Sequence, residues 1–206
     1  MNRMDMIVFA SGRGSNLASI QEAVEEGKIE GRIKAVISNN QSAAALAFAL
    51  DKGIPSIWVN PAAKDGRKGY ESRLLQEVRQ IGSDCLVLAG FMHMLSSDFI
   101  QSYGKPILNI HPALLPSFPG TAAQRDALAY GVKVSGCTVH FVDEGMDTGP
   151  VIAQSPVPVL DTDDEEALSA RILAEEHRLY PEVLALLAQG KISREGRKVW
   201  VDRGGR

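Results

Sequence analysis

The sequence is poor in cysteine and aromatic residues, and it contains no long apolar run. Only Cys85 and Cys137 occur among 206 residues, and both lie inside apolar segments, so we expect core residues rather than metal ligands or nucleophiles. No apolar run approaches the ~20 residues of a membrane-spanning helix, and no signal-peptide pattern is found near Met1. The sequence also lacks a basic block, and its net charge is -3, so neither a membrane nor a nucleic acid is expected as a partner. These absences predict a cytoplasmic protein.

The composition is that of an ordinary globular domain. Hydrophobic residues make up 45% of the chain and charged residues 23%, and a domain of this size buries roughly 70% of the surface of its unfolded chain. We therefore predict a single domain over residues 1–206. The 4 histidines lack the spacing of metal ligands, so no metal is expected. The composition leaves the oligomeric state open between monomer and homodimer.

Apolar runs and helix-like segments alternate through the first two thirds of the chain. Strands are expected at residues 4–10, 33–38, 56–59, 85–89 and 107–110, and helices at residues 16–26, 43–52 and 69–81. Apolar strands separated by helices are typical of a parallel sheet that is covered on both faces. We therefore predict an α/β fold with a mostly parallel twisted sheet, helices on both faces and a Rossmann-like N-terminal half.

The pattern changes after Pro119. A helix is expected at residues 124–130, long antiparallel strands at 136–142 and 151–159, a long helix at 163–187 and a hairpin at 191–201. Pro181 is expected to end or kink the long helix, because proline lacks an N–H group and clashes with the preceding turn. The C-terminal half is thus predicted to contain mixed or antiparallel strands and one long helix.

A glycine-containing loop, Ser-Gly-Arg-Gly-Ser-Asn-Leu at residues 11–17, joins the first strand to the first helix. Glycines let backbone N–H groups approach an anion, and the N-terminus of the following helix adds a favourable dipole. Leu17 replaces the third glycine of the dinucleotide motif, and the second strand ends in Ser38, Asn39 and Asn40 without an acidic residue for a ribose. The loop favours a single phosphate over a dinucleotide, and a plain tight turn is the alternative.

Polar side chains end the last buried strand of the first part. Asn109 and His111 are two positions apart, so they point to the same face, and Pro112 favours an extended conformation at His111. Open α/β sheets bind ligands beyond the carboxyl ends of their strands. Asp147 lies further along, in a glycine-containing loop between two strands. From spacing alone, these three polar residues are either catalytic or structural.

Four motifs together resemble a known family. They are Ser-Gly-x-Gly-Ser-Asn-Leu at residues 11–17, Ala-Gly-Phe-Met at 89–92, Asn-Ile-His-Pro-x-Leu-Leu-Pro at 109–116 and Met-Asp-Thr-Gly-Pro at 146–150. The set is similar to that of the glycinamide ribonucleotide formyltransferases, over residues 7 to about 200. Asn-x-His-Pro with a distant aspartate marks the wider folate-dependent formyltransferase group, and the loop at 11–17 narrows the resemblance to enzymes with a phosphoribosyl substrate.

The resemblance implies an activity and three catalytic residues. A formyl group would pass from the co-substrate 10-formyltetrahydrofolate to the amine of N1-(5-phosphoribosyl)glycinamide, in purine biosynthesis. Asn109 would donate a hydrogen bond to the formyl oxygen, His111 would stabilise or protonate the tetrahedral intermediate, and Asp147 would tune His111 and relay protons. Preorganised donors of this kind stabilise an oxyanion, and the reaction moves a proton from the amine to the folate nitrogen. It requires neither a metal nor a covalent nucleophile.

The resemblance also implies binding residues. The substrate phosphate would be bound by Gly12, Arg13, Gly14, Ser15 and Asn16. Glu176 would contact the ribose, and a solvated helix face is the alternative for it. The folate would contact Asn109, Arg67, Phe91, Met92, His93, Met94 and Leu95, and core packing is the alternative for the apolar members of this set. The phosphate-binding half would cover about residues 1–105, and the folate-binding and catalytic half about 85–206.

Some residues depart from the family pattern or have an ordinary structural explanation. His93 stands where some family members carry arginine, which leaves its folate contact open. Residues 121–125 match no family motif. His140 is expected to be a hydrogen-bonded, partly buried residue of a strand, and His177 is expected on the solvated side of the long helix.

Three other functions compete with this one. In formyltetrahydrofolate deformylase, water replaces the amine, but that enzyme normally carries an extra N-terminal domain. Methionyl-tRNA formyltransferase normally carries an extra C-terminal domain. Only a few residues precede the first expected strand here and the chain ends at Arg206, so we expect neither. A phosphate-sensing binding module would leave Asn109, His111 and Asp147 without a role.

Overall fold

The computed structural model describes residues 3–62, 64–202 and 204. The first half contains β1 (Met4–Phe9), α1 (Ser15–Glu25), β2 (Gly31–Ser38), α2 (Ala44–Asp51), β3 (Ser56–Trp58), α3 (Gly66–Ile81), β4 (Cys85–Leu88), α4 (Ser97–Tyr103) and β5 (Ile107–His111). The second half contains α5 (Ala123–Tyr130), β6 (Val134–Phe141), β7 (Val151–Pro158), α6 (Glu165–Ala188), β8 (Ile192–Glu195) and β9 (Lys198–Val201).

Seven of these strands form one sheet in the order β3-β2-β1-β4-β5-β6-β7. β1 pairs in parallel with β2 and with β4, and β2 pairs in parallel with β3. β6 and β7 are antiparallel, and β8 and β9 form a separate antiparallel hairpin. The predicted α/β class, with a mostly parallel sheet and an antiparallel pair in the C-terminal half, is confirmed.

The chain divides into two compact units, one up to Leu108 and one from Asn109 onward. In the first unit β1 lies between β2 and β4, and Met6, Ile7, Val8 and Phe9 are fully buried. Burial on both faces explains why this strand is a continuous apolar run. Because β1, β2 and β4 are parallel, the loops that follow them lie at the same edge of this part of the sheet.

In the second unit, α6 packs against β6 and β7. The helix begins after Asp164, whose Oδ1 accepts the backbone N–H of Ala167 at 2.8 Å. Such an N-cap stabilises a helix by about 1 kcal/mol. Leu168, Ile172 and Tyr180 form part of its buried side.

The helix does not end at Pro181, in contrast to one of the two expected outcomes. α6 continues to Ala188. Leu179 and Tyr180 before the proline and Val183 and Leu184 after it are all buried. We attribute the continuation to this packing on both sides of Pro181, which offsets the one helical hydrogen bond that proline cannot make.

Both cysteines are free and buried, as expected for core residues. Burial raises the pKa of Cys85 and of Cys137 to about 12 in each case. Neither side chain is therefore a thiolate at neutral pH, and neither is suited to act as a nucleophile.

Candidate active site

His111 and Asp147 form a close polar pair in the second unit. Nδ1 of His111 lies 3.3 Å from Oδ2 of Asp147, and Nε2 of His111 lies 2.8 Å from the backbone oxygen of Phe118. A carbonyl oxygen only accepts hydrogen bonds, so Nε2 carries a proton. Nδ1 faces a carboxylate, and only a ring that is protonated on both nitrogens donates to both neighbours. The pair can therefore hold and release a proton at Nδ1.

Two loops hold this pair in place. Oδ2 of Asp147 also accepts the backbone N–H of Gly120 at 2.8 Å. Asp147 and Phe118 both have positive φ angles, 55° and 53°, which are uncommon for residues other than glycine and cluster at functional sites. A Cβ atom at Gly149 would overlap the backbone carbonyl of Phe141, so the loop that carries Asp147 must close tightly on β6 at this glycine.

Asn109 joins the group through His140, a residue that sequence patterns did not assign to the site. Nδ1 of His140 donates to the backbone oxygen of Phe141 at 2.9 Å. Nε2 is therefore free to accept, and it lies 3.2 Å from Nδ2 of Asn109 and 3.8 Å from Oδ1 of Asp147. His140 is only 2% exposed, and this burial lowers its pKa. A neutral His140 thus accepts one N–H of the Asn109 amide and leaves the other available.

The segment after His111 is held by side chains of β6 and β7. Oγ1 of Thr138 donates to the oxygen of Ala113 at 2.6 Å and accepts the N–H of Leu115 at 3.0 Å. Nε2 of Gln154 donates to the oxygen of Leu115 at 2.8 Å. These hydrogen bonds give the residues after His111 a defined path.

The glycine loop lies in the first unit, between β1 and α1. Gly14 is the N-cap residue of α1 and has a φ of 79°. A Cβ atom there would lie 2.9 Å from both Cα and Cβ of Ala45, so the position requires glycine for two reasons. Glycine also has no side chain to cap the helix, and the N-terminus of a helix is a favourable position for an anion.

The segment that was predicted to contact folate, residues 91–95, is partly exposed. Met92 is 68% exposed and Met94 is 49% exposed. The alternative that these two methionines pack in the core is therefore wrong. Leu95 is buried, and the Phe91 ring packs edge-on against Phe9 with ring centroids 5.1 Å apart. Exposed methionines beside a fixed aromatic ring are suited to contact a flat apolar group.

Arg67 and His93 share a buried carboxylate with this segment. Oε1 of Glu71 accepts Nε of Arg67 and the backbone N–H of Ser96, both at 3.0 Å, and it lies 3.4 Å from Nε2 of His93. Arg67 also donates to the backbone oxygen of Met94 at 2.8 Å. Burial raises the pKa of Glu71, but the hydrogen bonds from Ser96 and Arg67 outweigh this effect and leave it lowered.

In α6, burial rules out the alternative given for Glu176 and corrects the expectation for His177. Glu176 is only 7% exposed, so the alternative of a solvated helix face is wrong. His177 is half-buried rather than solvated, and its Nε2 atom has no hydrogen-bond partner among the described residues. Burial lowers the pKa of His177.

Residues 3–62, 64–202 and 204 lack two features. They contain no cluster of three or more histidine, cysteine, aspartate or glutamate side chains arranged to hold a metal ion. Over the same residues, none of the helices combines the length and apolar character needed to cross a membrane.

The site groups an amide donor, an imidazole and a carboxylate on an α/β fold. This combination is suited to an enzyme that acts at a carbonyl group. Comparison with known proteins makes this class more specific. The formyl transferase family model matches residues 4–184. The chain therefore belongs to the formyl transferase family, and it is a transferase.

Individual relatives cover nearly the whole chain. Phosphoribosylglycinamide formyltransferase of Escherichia coli K12 is 40% identical over 199 residues, which are 97% of this chain and 94% of that protein. Phosphoribosylglycinamide formyltransferase of Mycobacterium tuberculosis is 43% identical, over 95% of this chain and 93% of that protein. The crystal structure of glycinamide ribonucleotide transformylase 1 from Symbiobacterium toebii has a TM-score of 0.94 and 45% identity, and the match covers 96% of this chain and 93% of that one.

Proposed function

We propose that this enzyme transfers the formyl group of 10-formyltetrahydrofolate to the amine of N1-(5-phosphoribosyl)glycinamide. The products are the N-formyl ribonucleotide and tetrahydrofolate, and the reaction belongs to purine biosynthesis. The observation that carries the proposal is the group formed by His111, Asp147 and Asn109, in a chain whose full-length relatives are named for this activity.

In the proposed mechanism, the amine nitrogen of the ribonucleotide attacks the formyl carbon. The formyl oxygen becomes an oxyanion, and the N–H of Asn109 that does not bond to His140 donates to it. Protonated His111, held by the Phe118 carbonyl and Asp147, stabilises the intermediate through its positive charge. The bond between the formyl carbon and the folate nitrogen then breaks, the folate nitrogen gains a proton, and the amine loses one. Asp147 tunes His111, and it takes the proton that the amine loses and relays it through water to the folate nitrogen.

The two substrates are assigned to separate segments. The phosphate would be bound by the residues of the glycine loop, where Gly14 begins α1 without a capping side chain and the helix dipole favours an anion. These residues are Gly12, Arg13, Gly14, Ser15 and Asn16. The folate would be bound by Arg67 and by residues 91–95, where two exposed methionines are suited to the pterin ring. Glu176 would contact the ribose through its carboxylate.

An assay with 10-formyltetrahydrofolate, with and without the ribonucleotide, tests the proposal. We expect tetrahydrofolate to form only when the ribonucleotide is present, together with one equivalent of the N-formyl product. Release of formate without the ribonucleotide would instead identify a deformylase. Binding of the ribonucleotide without turnover in the presence of the formyl donor would identify a binding module, and either result rejects the proposal.

A further inference from the structure

We propose that Ser11 is a positioning residue that links binding of the phosphorylated substrate to binding of folate. This inference rests on the proposed function, which assigns the two ligands to the glycine loop and to residues 91–95. Ser11 is half-buried, and it is the first residue of the glycine loop, two positions after the end of β1.

The hydroxyl of Ser11 bonds to two other loops of the first unit. It donates to Oδ1 of Asn39 at 2.6 Å and accepts the backbone N–H of Met92 at 2.7 Å. Both directions are fixed, because a hydroxyl has one proton and a backbone amide nitrogen can only donate. One side-chain oxygen thus connects the loop after β2 with the segment after β4.

Backbone bonds place Ser11 between the same two loops. Its N–H donates to the oxygen of Gly90 at 3.0 Å, and its carbonyl oxygen accepts Nδ2 of Asn40 at 3.2 Å. Four hydrogen bonds therefore join Ser11 to two distant loops. In the sequence, Asn39 is 28 positions away and Met92 is 81 positions away. Gly12 is the next residue, so any shift of Ser11 also moves the backbone of the loop that is proposed to bind the phosphate.

This arrangement has a thermodynamic consequence. A phosphate that orders the glycine loop also orders Ser11, and the hydroxyl then holds Met92 at the place where folate would bind. Coupling between two ligands is reciprocal, so folate should strengthen binding of the ribonucleotide by the same factor. Removing the hydroxyl leaves the Met92 N–H and the Asn39 oxygen without this partner, and it should weaken both affinities and their coupling.

The test compares Ser11→Ala with Ser11→Thr, which keeps a hydroxyl, and with Ser42→Ala as a matched control. Ser42 also donates its hydroxyl to an asparagine oxygen in the same unit, that of Asn40 at 2.9 Å, but it does not bond to Met92. Dissociation constants are measured for N1-(5-phosphoribosyl)glycinamide and for a folate analogue that cannot transfer its formyl group, each alone and in the presence of the other.

We expect Ser11→Ala to weaken both affinities by roughly five- to tenfold, the scale of one hydrogen bond, and to bring the coupling factor close to one. Ser11→Thr should recover the coupling, and Ser42→Ala should match the wild type. Unchanged affinities, or a loss confined to one ligand, would overturn the inference and leave the proposed function intact. A wild-type enzyme that binds neither ligand would overturn the proposed function and the inference with it.

A second measurement does not depend on the folding of any variant. In the wild-type enzyme, the ribonucleotide alone should slow hydrogen exchange of the Met92 amide, because its hydrogen bond to Ser11 opens less often. An exchange rate at Met92 that the ribonucleotide leaves unchanged would contradict the proposed link.

Discussion

Nε2 of His140 lies 3.2 Å from Nδ2 of Asn109, and this contact defines the orientation of the Asn109 amide. The orientation follows from hydrogen bonding alone. The Phe141 carbonyl requires the proton of His140 on Nδ1, so Nε2 accepts, and the amide must present its NH₂ side. The amide has two N–H groups, and the second is the one that we assign to the oxyanion. His140 therefore determines whether Asn109 can act as a donor.

The first prediction tests this role of His140. His140→Ala should lower kcat by roughly 10- to 100-fold through misorientation of one oxyanion donor. KM should change little, because the oxyanion is absent from the bound substrate and forms only as the reaction approaches its transition state. His140→Gln should recover much of the activity, since its amide oxygen can accept from Asn109. His177→Gln is the control and should retain wild-type kcat. Equal losses in the Ala and Gln variants would argue against an orienting role.

The second prediction concerns acid stability. Burial lowers the pKa of His140 and of His177 below the ordinary value of 6.5. Below pH 6.5 the unfolded chain takes up protons that the folded enzyme does not, so the free energy of unfolding should fall as the pH falls toward the folded pKa values. In thermal melts at about pH 7.5 and 5.5, the decrease in midpoint should be smaller for His140→Gln/His177→Gln than for the wild type.

The carboxylate of Asp163 does not obscure this window. Arg171 lowers the pKa of Asp163 from 3.8 to about 2, so its contribution to stability is complete above 3.8 and is lost only as the pH falls toward 2. The same pH dependence in the wild type and the double variant between about pH 7.5 and 5.5 would show that the two histidines titrate normally.

The third prediction concerns Gly14 in the phosphate loop. Gly14→Ala should raise the KM or Kd of the phosphorylated substrate at least tenfold while affinity for folate changes much less. The alanine would meet Ala45 at 2.9 Å and force an unfavourable φ. Gly27→Ala is the matched control, since its φ of 73° is similarly unfavourable for alanine, no atom lies within 4 Å of its added Cβ, and it lies outside the loop; it should leave the affinity for the phosphorylated substrate unchanged. An unchanged substrate affinity in folded Gly14→Ala would reject the phosphate assignment.

Most of the fold could be predicted from the sequence, because buried parallel strands are continuous apolar runs. The first strand was expected at residues 4–10 and is Met4–Phe9, and the fourth was expected at 85–89 and is Cys85–Leu88. Helix α4 was not predicted. It has only seven residues, and Phe99 is its single buried side chain, so it offers no helical periodicity. Its local signals are two caps: the hydroxyl of Ser96 accepts the N–H of Phe99, and Gly104 ends the helix in the left-handed conformation.

The candidate site was only partly predictable. Asn109 and His111 share a face of one strand, so their two-residue spacing was informative. Asp147 required the family resemblance, because no periodic pattern relates a loop residue to a strand 36 positions earlier. His140 was missed for a similar reason. Its contact with Asn109 spans 31 positions, and a histidine between Val139 and Phe141 is equally typical of an ordinary buried residue.

The fourth prediction concerns the buried carboxylate behind the folate segment. Glu71→Gln keeps the size of the side chain but removes the charge that Arg67 and Ser96 face. We expect a several-fold higher KM for 10-formyltetrahydrofolate and a lower thermal midpoint, with the KM of the ribonucleotide unchanged. Glu77→Gln on the same helix is the control, because Glu77 bonds to neither Arg67 nor Ser96 in the described part of the chain. Equal effects of the two changes would contradict a specific role for Glu71.

The last prediction concerns Asp147 and its pairing with His111. Asp147→Asn should fold normally, since asparagine also tolerates the positive φ of this position and its amide oxygen can still accept the N–H of Gly120. The change removes the charge that holds a proton on Nδ1 of His111, so kcat should fall by about 10²-fold or more. Packing cannot explain such a loss, because the two side chains have nearly the same size and shape.

The control for this change lies in the same loop. Oδ1 of Asp143 accepts the N–H of Gly145 and the hydroxyl of Thr148, and the oxygen of an asparagine can do the same. Asp143→Asn should therefore keep kcat within about twofold of the wild type. A double-variant cycle tests whether the two residues act as a unit, because substitutions of such residues have strongly non-additive effects on kcat. His111→Gln combined with Asp147→Asn should be little slower than the slower single variant, and multiplying losses would show that the two residues act independently.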